Sequence, residues 1–189
     1  MILDLQPQLD GKVFRCPEGV ALTRGPMGLG LIVTRPFRAG EVIYRNESFT
    51  VPDTDHSYRV LVEIDGSVEE VRVTRTQSVK YGDGREFDIP GTFINHACNP
   101  TSMFFDLVAD SGDEFYEQVA LVDLAPGDPI TIDYTLHDWD CDGHVFTCLC
   151  GSSECYGLVA GFKGLPRHVQ DTMLHRIKGE TARMWAALH

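Results

Sequence analysis

The sequence lacks a run of about 18 uninterrupted apolar residues, the length a membrane span needs, so no spanning helix is expected. It also lacks a basic start: Asp4 precedes the first basic residue, Lys12. A secretory signal opens with positive charge before an apolar stretch, so none is read here. The expected setting is intracellular, cytoplasm or nucleus. Positive charge is scarce throughout, with 16 Lys and Arg against 28 Asp and Glu and a net charge of −12. A surface that acidic repels phosphate backbones, which argues against direct nucleic-acid binding and favours a basic protein or peptide as partner. No internal repeat, low-complexity segment or linker interrupts the chain. What remains is ordinary globular material, 43% hydrophobic and 23% charged over 189 residues, enough for about one domain with an appendage.

The apolar pattern is short and frequently broken. Gly25 to Gly30 mark a tight turn before the strand Leu31-Ile32-Val33, and Arg35 to Gly40 mark another turn before Glu41-Val42-Ile43-Tyr44. Val60 to Ile64 and Val68 to Val73 flank Asp65-Gly66-Ser67, a hairpin signal. Tyr81-Gly82-Asp83-Gly84 is a further turn, and Phe115 to Leu121 and Ile130 to Tyr134 are two more strand candidates. Short strands with Gly and Pro turns predict a mainly β core. The first 25 residues read as an irregular arm. Only the tail is helical in pattern, with apolar residues recurring from Leu165 through Val169, Met173 and Ile177 to Met184 and Leu188. It is expected to dock on the core as a helix.

Six cysteines are present: Cys16, Cys98, Cys141, Cys148, Cys150 and Cys155. Without an export signal disulfides are a poor default. Cys148, Cys150 and Cys155 form a C-x-C-x4-C cluster. Thiolates so close repel one another unless a cation neutralises them, and Zn²⁺ does so with four ligands in a tetrahedron, thiolates favoured. Spacing leaves Cys16, Cys98, Cys141 and a nearby histidine open as the fourth ligand.

Three further segments carry polar chemistry. Gly28-Leu29-Gly30 lets backbone come close to a ligand. In Phe93-Ile94-Asn95-His96-Ala97-Cys98-Asn99-Pro100 an apolar strand end runs into two polar side chains, a thiol and a turn. Thr131-Ile132-Asp133-Tyr134 follows a Pro/Gly turn and precedes Cys148 by fourteen residues.

In this order, the Gly-x-Gly turn, Asn-His-x-Cys-x-Pro, Thr-Ile-Asp-Tyr and C-x-C-x4-C resemble the SET-domain family over roughly residues 19–161. The family consists mainly of S-adenosylmethionine-dependent protein-lysine methyltransferases. The resemblance implies a mainly β SET fold of short twisted sheets with a pseudoknot, plus a C-terminal zinc motif and helix. It divides the chain into an N-terminal arm (1–18), a SET domain (19–136), a post-SET zinc-binding segment (137–161) and a C-terminal helix docked on the core (162–189). It implies that Gly28, Leu29, Gly30, Asn95, His96 and Tyr134 bind the cofactor and that Tyr134 stands at the transfer site. It also implies that Cys98 joins Cys148, Cys150 and Cys155 on one structural Zn²⁺.

The sequence departs from the family pattern in places. Ala97 and Thr101 stand where Ser and Asn are usual, Gly91 and Thr92 where an Arg is common, and Ile43-Tyr44-Arg45-Asn46-Glu47 where Glu-Tyr-x-Gly-Glu is common. Phe93, Phe104, Phe105, Tyr44, Tyr58 and Trp139 are candidates for an aromatic channel wall, which suits a cationic ammonium. Cys141 reads as a spare surface thiol, Cys16 as packing, and His137 and His144 as loop residues. Three readings follow: methyl transfer to a lysine of a protein or peptide; a SET-fold enzyme acting on a small-molecule metabolite, without net methylation in one version; and a non-catalytic zinc-stabilised binding module.

Overall fold

The computed structural model describes residues 12–45, 48–52, 58–73, 79–81, 84–108 and 114–188; at 48–52, 58, 79–81, 84–87, 108, 114–115 and 142 it describes backbone alone. The strands are β1 (Val13–Phe14), β2 (Val20–Gly25), β3 (Gly28–Val33), β4 (Val42–Arg45), β5 (Ser48–Pro52), β6 (Tyr58–Ile64), β7 (Ser67–Val73), β8 (Val79–Tyr81), β9 (Gly84–Asp88), β10 (Asn95–His96), β11 (Ser102–Val108), β12 (Glu114–Ala120), β13 (Thr131–Ile132), β14 (Phe146–Thr147) and β15 (Leu158–Val159). Among the described residues three α-helices follow β13: α1 (Tyr134–His137), α2 (Arg167–Met173) and α3 (Gly179–Leu188). The fold is mainly β, built of small sheets, as the turn-rich sequence predicts. No helix among the described residues is long and apolar enough to cross a membrane.

The chain divides into two compact units. The first comprises residues 1–95 and 101–131, the second 96–100 and 132–189. In the first, β6 and β7 pair antiparallel, with Ile64 opposite Ser67. Asp65 and Gly66 both take positive φ, 49° and 79°, the backbone that a two-residue type I′ turn requires. Val60, Val62 and Ile64 face inward at every second position, the period of a strand with one buried face. β2 and β3 pair from Val20 opposite Val33 to Gly25 opposite Gly28. Here too Leu22, Leu31 and Val33 point into the core. Each such side chain contributes about 1.5–3 kcal/mol through burial. Ile130 N–H donates to Leu31 C=O at 2.9 Å, and β11, β12 and β4 form a separate three-stranded sheet.

The departures at the start and end of the chain have physical causes. The irregular arm expected over the first 25 residues instead contains β1 and β2; β1 pairs parallel with β6, Val13 opposite Leu61. Two residues are too few to show a period, and that is why the sequence hides β1. The C-terminal helix expected over 162–189 is two helices, α2 and α3, separated at residues 174–178. Gly179, at φ 54°, sits where the continuous apolar stripe suggested unbroken helix. In this second unit Phe162 anchors the tail: its ring lies 5.6 Å from Trp185 and 6.4 Å from Trp139, and Gln170 Nε2 donates to its carbonyl at 2.8 Å. Of the turn expected at Tyr81 to Gly84, Gly82 and Asp83 lie outside the described residues.

Candidate functional site

In the first unit the β2–β3 hairpin delivers Gly28, at φ 93°, followed by Leu29 and Gly30. Asn95 Nδ2 donates to the Leu29 carbonyl at 3.0 Å. A Cβ at Gly30 would sit 2.6 Å from that same nitrogen, closer than atoms can approach. A side chain at position 30 would have to push the Asn95 amide aside, so the two motifs meet. Thr101, where the family commonly has Asn, donates from Oγ1 to Pro129 C=O at 2.8 Å and accepts from Thr131 N–H at 2.9 Å. Its own N–H donates to Thr131 Oγ1 at 3.0 Å. The hydroxyl thus clamps the segment leading into β13 without an amide.

In the second unit the short elements around Tyr134 are held by polar contacts. Tyr134, expected at a strand end, is instead the first residue of α1. The cause is Asp133: its carboxylate accepts from Thr135 N–H at 3.0 Å and Thr135 Oγ1 at 2.6 Å, capping the helix. The same carboxylate accepts from Tyr156 Oη at 3.0 Å. Tyr134 N–H donates to His96 Nδ1 at 3.2 Å, and the two rings lie 5.3 Å apart. Burial first, then the neighbouring Cys141, pushes the Tyr134 phenol up to about 12, so it stays neutral at ordinary pH. Burial lowers His96, with Asp133 opposing. Phe146 lies 6.1 Å from His96 and 6.2 Å from Tyr134, edge-on to both.

Cys98, Cys148, Cys150 and Cys155 bring four sulfurs within 4.8 Å of one another. Cys98 Sγ is 3.7 Å from Cys148 Sγ and 4.0 Å from Cys155 Sγ. Four thiolates at about 2.3 Å from a tetrahedral zinc stand about 3.8 Å apart, so this donor set fits that ion. Burial pushes the Cys98 thiol well up and the Cys148 thiol to about 11. At Cys150 burial is outweighed by hydrogen bonds at Cys98 and Ser152, drawing it to about 6. Backbone N–H groups already point at these sulfurs, Tyr156 to Cys98 at 3.3 Å and Gly157 to Cys155 at 3.4 Å.

Several sequence expectations need correction. Cys141 is not a surface thiol: it is buried with Cys98, Cys148 and Val159. Its positive φ of 54° and the bond from its N–H to Asp138 Oδ1 at 2.7 Å turn it inward. It stands outside the four-sulfur group. Cys16 is half-buried, and burial pushes its thiol to about 11. His137 ends α1 and is no loop residue, while His144 lies exposed outside the helices and strands, as expected. Of the aromatic candidates, Tyr44, Phe93 and Trp139 are buried and Phe105 is exposed. Phe104 pairs with Tyr116 at 5.3 Å, and the Tyr58 side chain, like Asn46 and Glu47, lies outside the described residues. Sequence reasoning missed Asp133, Tyr156 and Phe146. The signal available for Asp133 was its residue type, since Asp is a favoured helix N-cap.

The SET-domain family profile matches residues 28–135. The chain belongs to the SET-domain family. This SET chain is 34% identical over 83 residues to a histone-lysine N-methyltransferase, H3 lysine-9 specific, of Fusarium mangiferae, covering 39% of the chain and 24% of that protein. It is 33% identical over 87 residues to the H3 lysine-9 specific histone-lysine N-methyltransferase dim-5 of Neurospora crassa, covering 40% and 26%. It is 33% identical over 96 residues to methyltransferase flvH of Aspergillus flavus, covering 49% of each. The SET chain thus spans about a quarter of the first two relatives and about half of the third.

Proposed function

We propose that the protein transfers a methyl group from S-adenosylmethionine to a lysine side chain of a basic protein or peptide. The observation that carries the proposal is the Asn95 amide seated on the Leu29 carbonyl over Gly30, because it joins two motifs that mean little apart. Gly28, Leu29, Gly30, Asn95, His96 and Tyr134 are the residues proposed to contact the cofactor. The donor set suits it: a neutral amide and a phenol held protonated by burial place no competing cation beside a sulfonium. When bound, S-adenosylmethionine supplies an electrophilic methyl group on positively charged sulfur.

The acceptor amine must be neutral to attack. A free lysine, with pKa near 10.4, lies about 3.4 units from neutrality at pH 7, or about 4.6 kcal/mol. Burial among apolar groups lowers a lysine pKa, and water takes the proton. Tyr134 is proposed to orient the amine through its hydroxyl; His96 Nδ1 holds its backbone N–H and the two rings lie 5.3 Å apart. Its raised pKa rules it out as a ready proton acceptor. Cys98, Cys148, Cys150 and Cys155 are proposed to hold one Zn²⁺, which supplies charge neutralisation and a structural crosslink between residues 98 and 148–155. The four-part division at residues 18, 136 and 161 remains part of this proposal. The net charge of −12 supports a basic acceptor.

A small-molecule acceptor is the second reading. It draws on the relative from Aspergillus flavus, which the chain matches over 49% of each and whose name specifies no lysine. Incubating purified protein with radiolabelled S-adenosylmethionine and either a lysine-rich protein or a small-molecule extract separates the two. Label in protein supports the first reading; label only in the extract supports the second. Absence of cofactor binding by calorimetry leaves the non-catalytic binding module.

A further inference from the structure

We infer that His96 is a positioning residue for the metal centre: as the neutral Nε2–H tautomer it donates to the Cys98 thiolate while Nδ1 holds the Tyr134 backbone. The inference rests on the proposed zinc site and goes beyond it, since His96 enters there only as a cofactor contact.

The tautomer follows from what surrounds a ring only 2% exposed. Tyr134 N–H points at Nδ1 from 3.2 Å. A backbone N–H can only donate, so Nδ1 presents its lone pair. A neutral imidazole with a bare Nδ1 carries its proton on Nε2. Nε2 lies 3.2 Å from Cys98 Sγ, and the proton has that sulfur as its acceptor. Asp133 does not compete. Its Oδ1 is 3.8 Å from Nδ1, beyond hydrogen-bond reach, and its carboxylate is engaged by Thr135 and Tyr156.

Cys98 therefore receives two N–H donors, from His96 and from Tyr156 at 3.3 Å. Donors on a metal-bound thiolate disperse its charge and fix its lone-pair direction, and such partners change metal affinity by about 10–100-fold. One flat ring also ties a metal ligand to the backbone of Tyr134.

The test uses the zinc-loaded full chain. Long-range ¹H–¹⁵N spectra of histidine-labelled protein should show His96 protonated on Nε2 and bare on Nδ1. Zinc transfer to a chelator should report affinity about 10–100-fold weaker in His96→Leu, while His96→Gln, which keeps a donor, stays within about threefold of the parent. In the cobalt-substituted protein the thiolate charge-transfer band should move in His96→Leu and stay in place in His96→Gln. A proton on Nδ1, or equal metal affinity in the two variants, overturns the inference while leaving the zinc site intact. A parent protein that takes up no zinc at all defeats the metal site and the inference with it. Should His96→Leu not fold, the parent tautomer and the His96→Gln affinity decide.

Discussion

Gly30 shows how a single hydrogen atom in place of a side chain can carry a site. Its absent Cβ leaves room for Asn95 Nδ2, which a methyl group would meet at 2.6 Å. Gly30→Ala should displace the amide and weaken S-adenosylmethionine binding about tenfold or more, with Asn95→Ala close to it, since both remove the same hydrogen-bonded arrangement; isothermal calorimetry reads both. Equal cofactor affinity in all three proteins would remove this pair from the site. At Tyr134 the expectation differs in kind. Tyr134→Phe keeps the ring and its contact with His96 but deletes the hydroxyl, so transfer should fall about 100-fold or more with cofactor affinity nearly unchanged. Identity and spacing made these residues stand out in the sequence as candidates. Their partners were not legible: nothing in the chain order says that Asn95 would choose the Leu29 carbonyl, or that Thr101 would replace an amide by bonding Pro129 and Thr131.

At the scale of elements, α1 is the piece on which most depends. It has four residues, too few to be stable on propensity alone, and it starts at Tyr134 because Asp133 caps it. Asp133→Ala removes the cap and the Tyr156 partner together and should cost about 2–3 kcal/mol in urea unfolding, against about 1 kcal/mol for Tyr156→Phe. A pH effect belongs to the same helix. Burial, then the charges of Lys178 and Arg176, lowers His137 from 6.5 to about 4. As pH falls, the unfolded chain takes up this proton near 6.5 and the folded chain only near 4. The stability is therefore whole above 6.5 and lost as pH drops through that window. His137→Gln should flatten the decline, and thermal melts at several pH values measure it. The hairpin β6–β7 was readable because alternation and an Asp-Gly turn act locally. The strand ending at Tyr134, the irregular arm and the single tail helix were misread because β1 needs β6, α1 needs a cap, and the break before Gly179 leaves no mark in the apolar stripe.

For the molecule as a whole, the cysteines join distant parts of the chain: Cys98 meets a cluster fifty residues away. Three of the clustered cysteines stood out as candidate ligands from their local spacing. The fourth came from resemblance, since folding rather than sequence distance brings Cys98 in and leaves Cys141 outside the group. Metal analysis should find one equivalent of zinc, lost in Cys150→Ser together with protease resistance of residues 137–189, because the crosslink is part of the folding energy there. A fully ordered, metal-free protein would contradict this. The net charge of −12 belongs to the same scale, since such a field would steer the proposed basic acceptor in a salt-dependent way. The most direct measurement of the central claim is mass spectrometry of a lysine-rich protein after incubation with S-adenosylmethionine and this chain. The account predicts the mass of added methyl groups on lysine, abolished by Tyr134→Phe. Methylation undiminished in that variant, or no methyl transfer to any acceptor by a zinc-loaded, cofactor-binding protein, would contradict it.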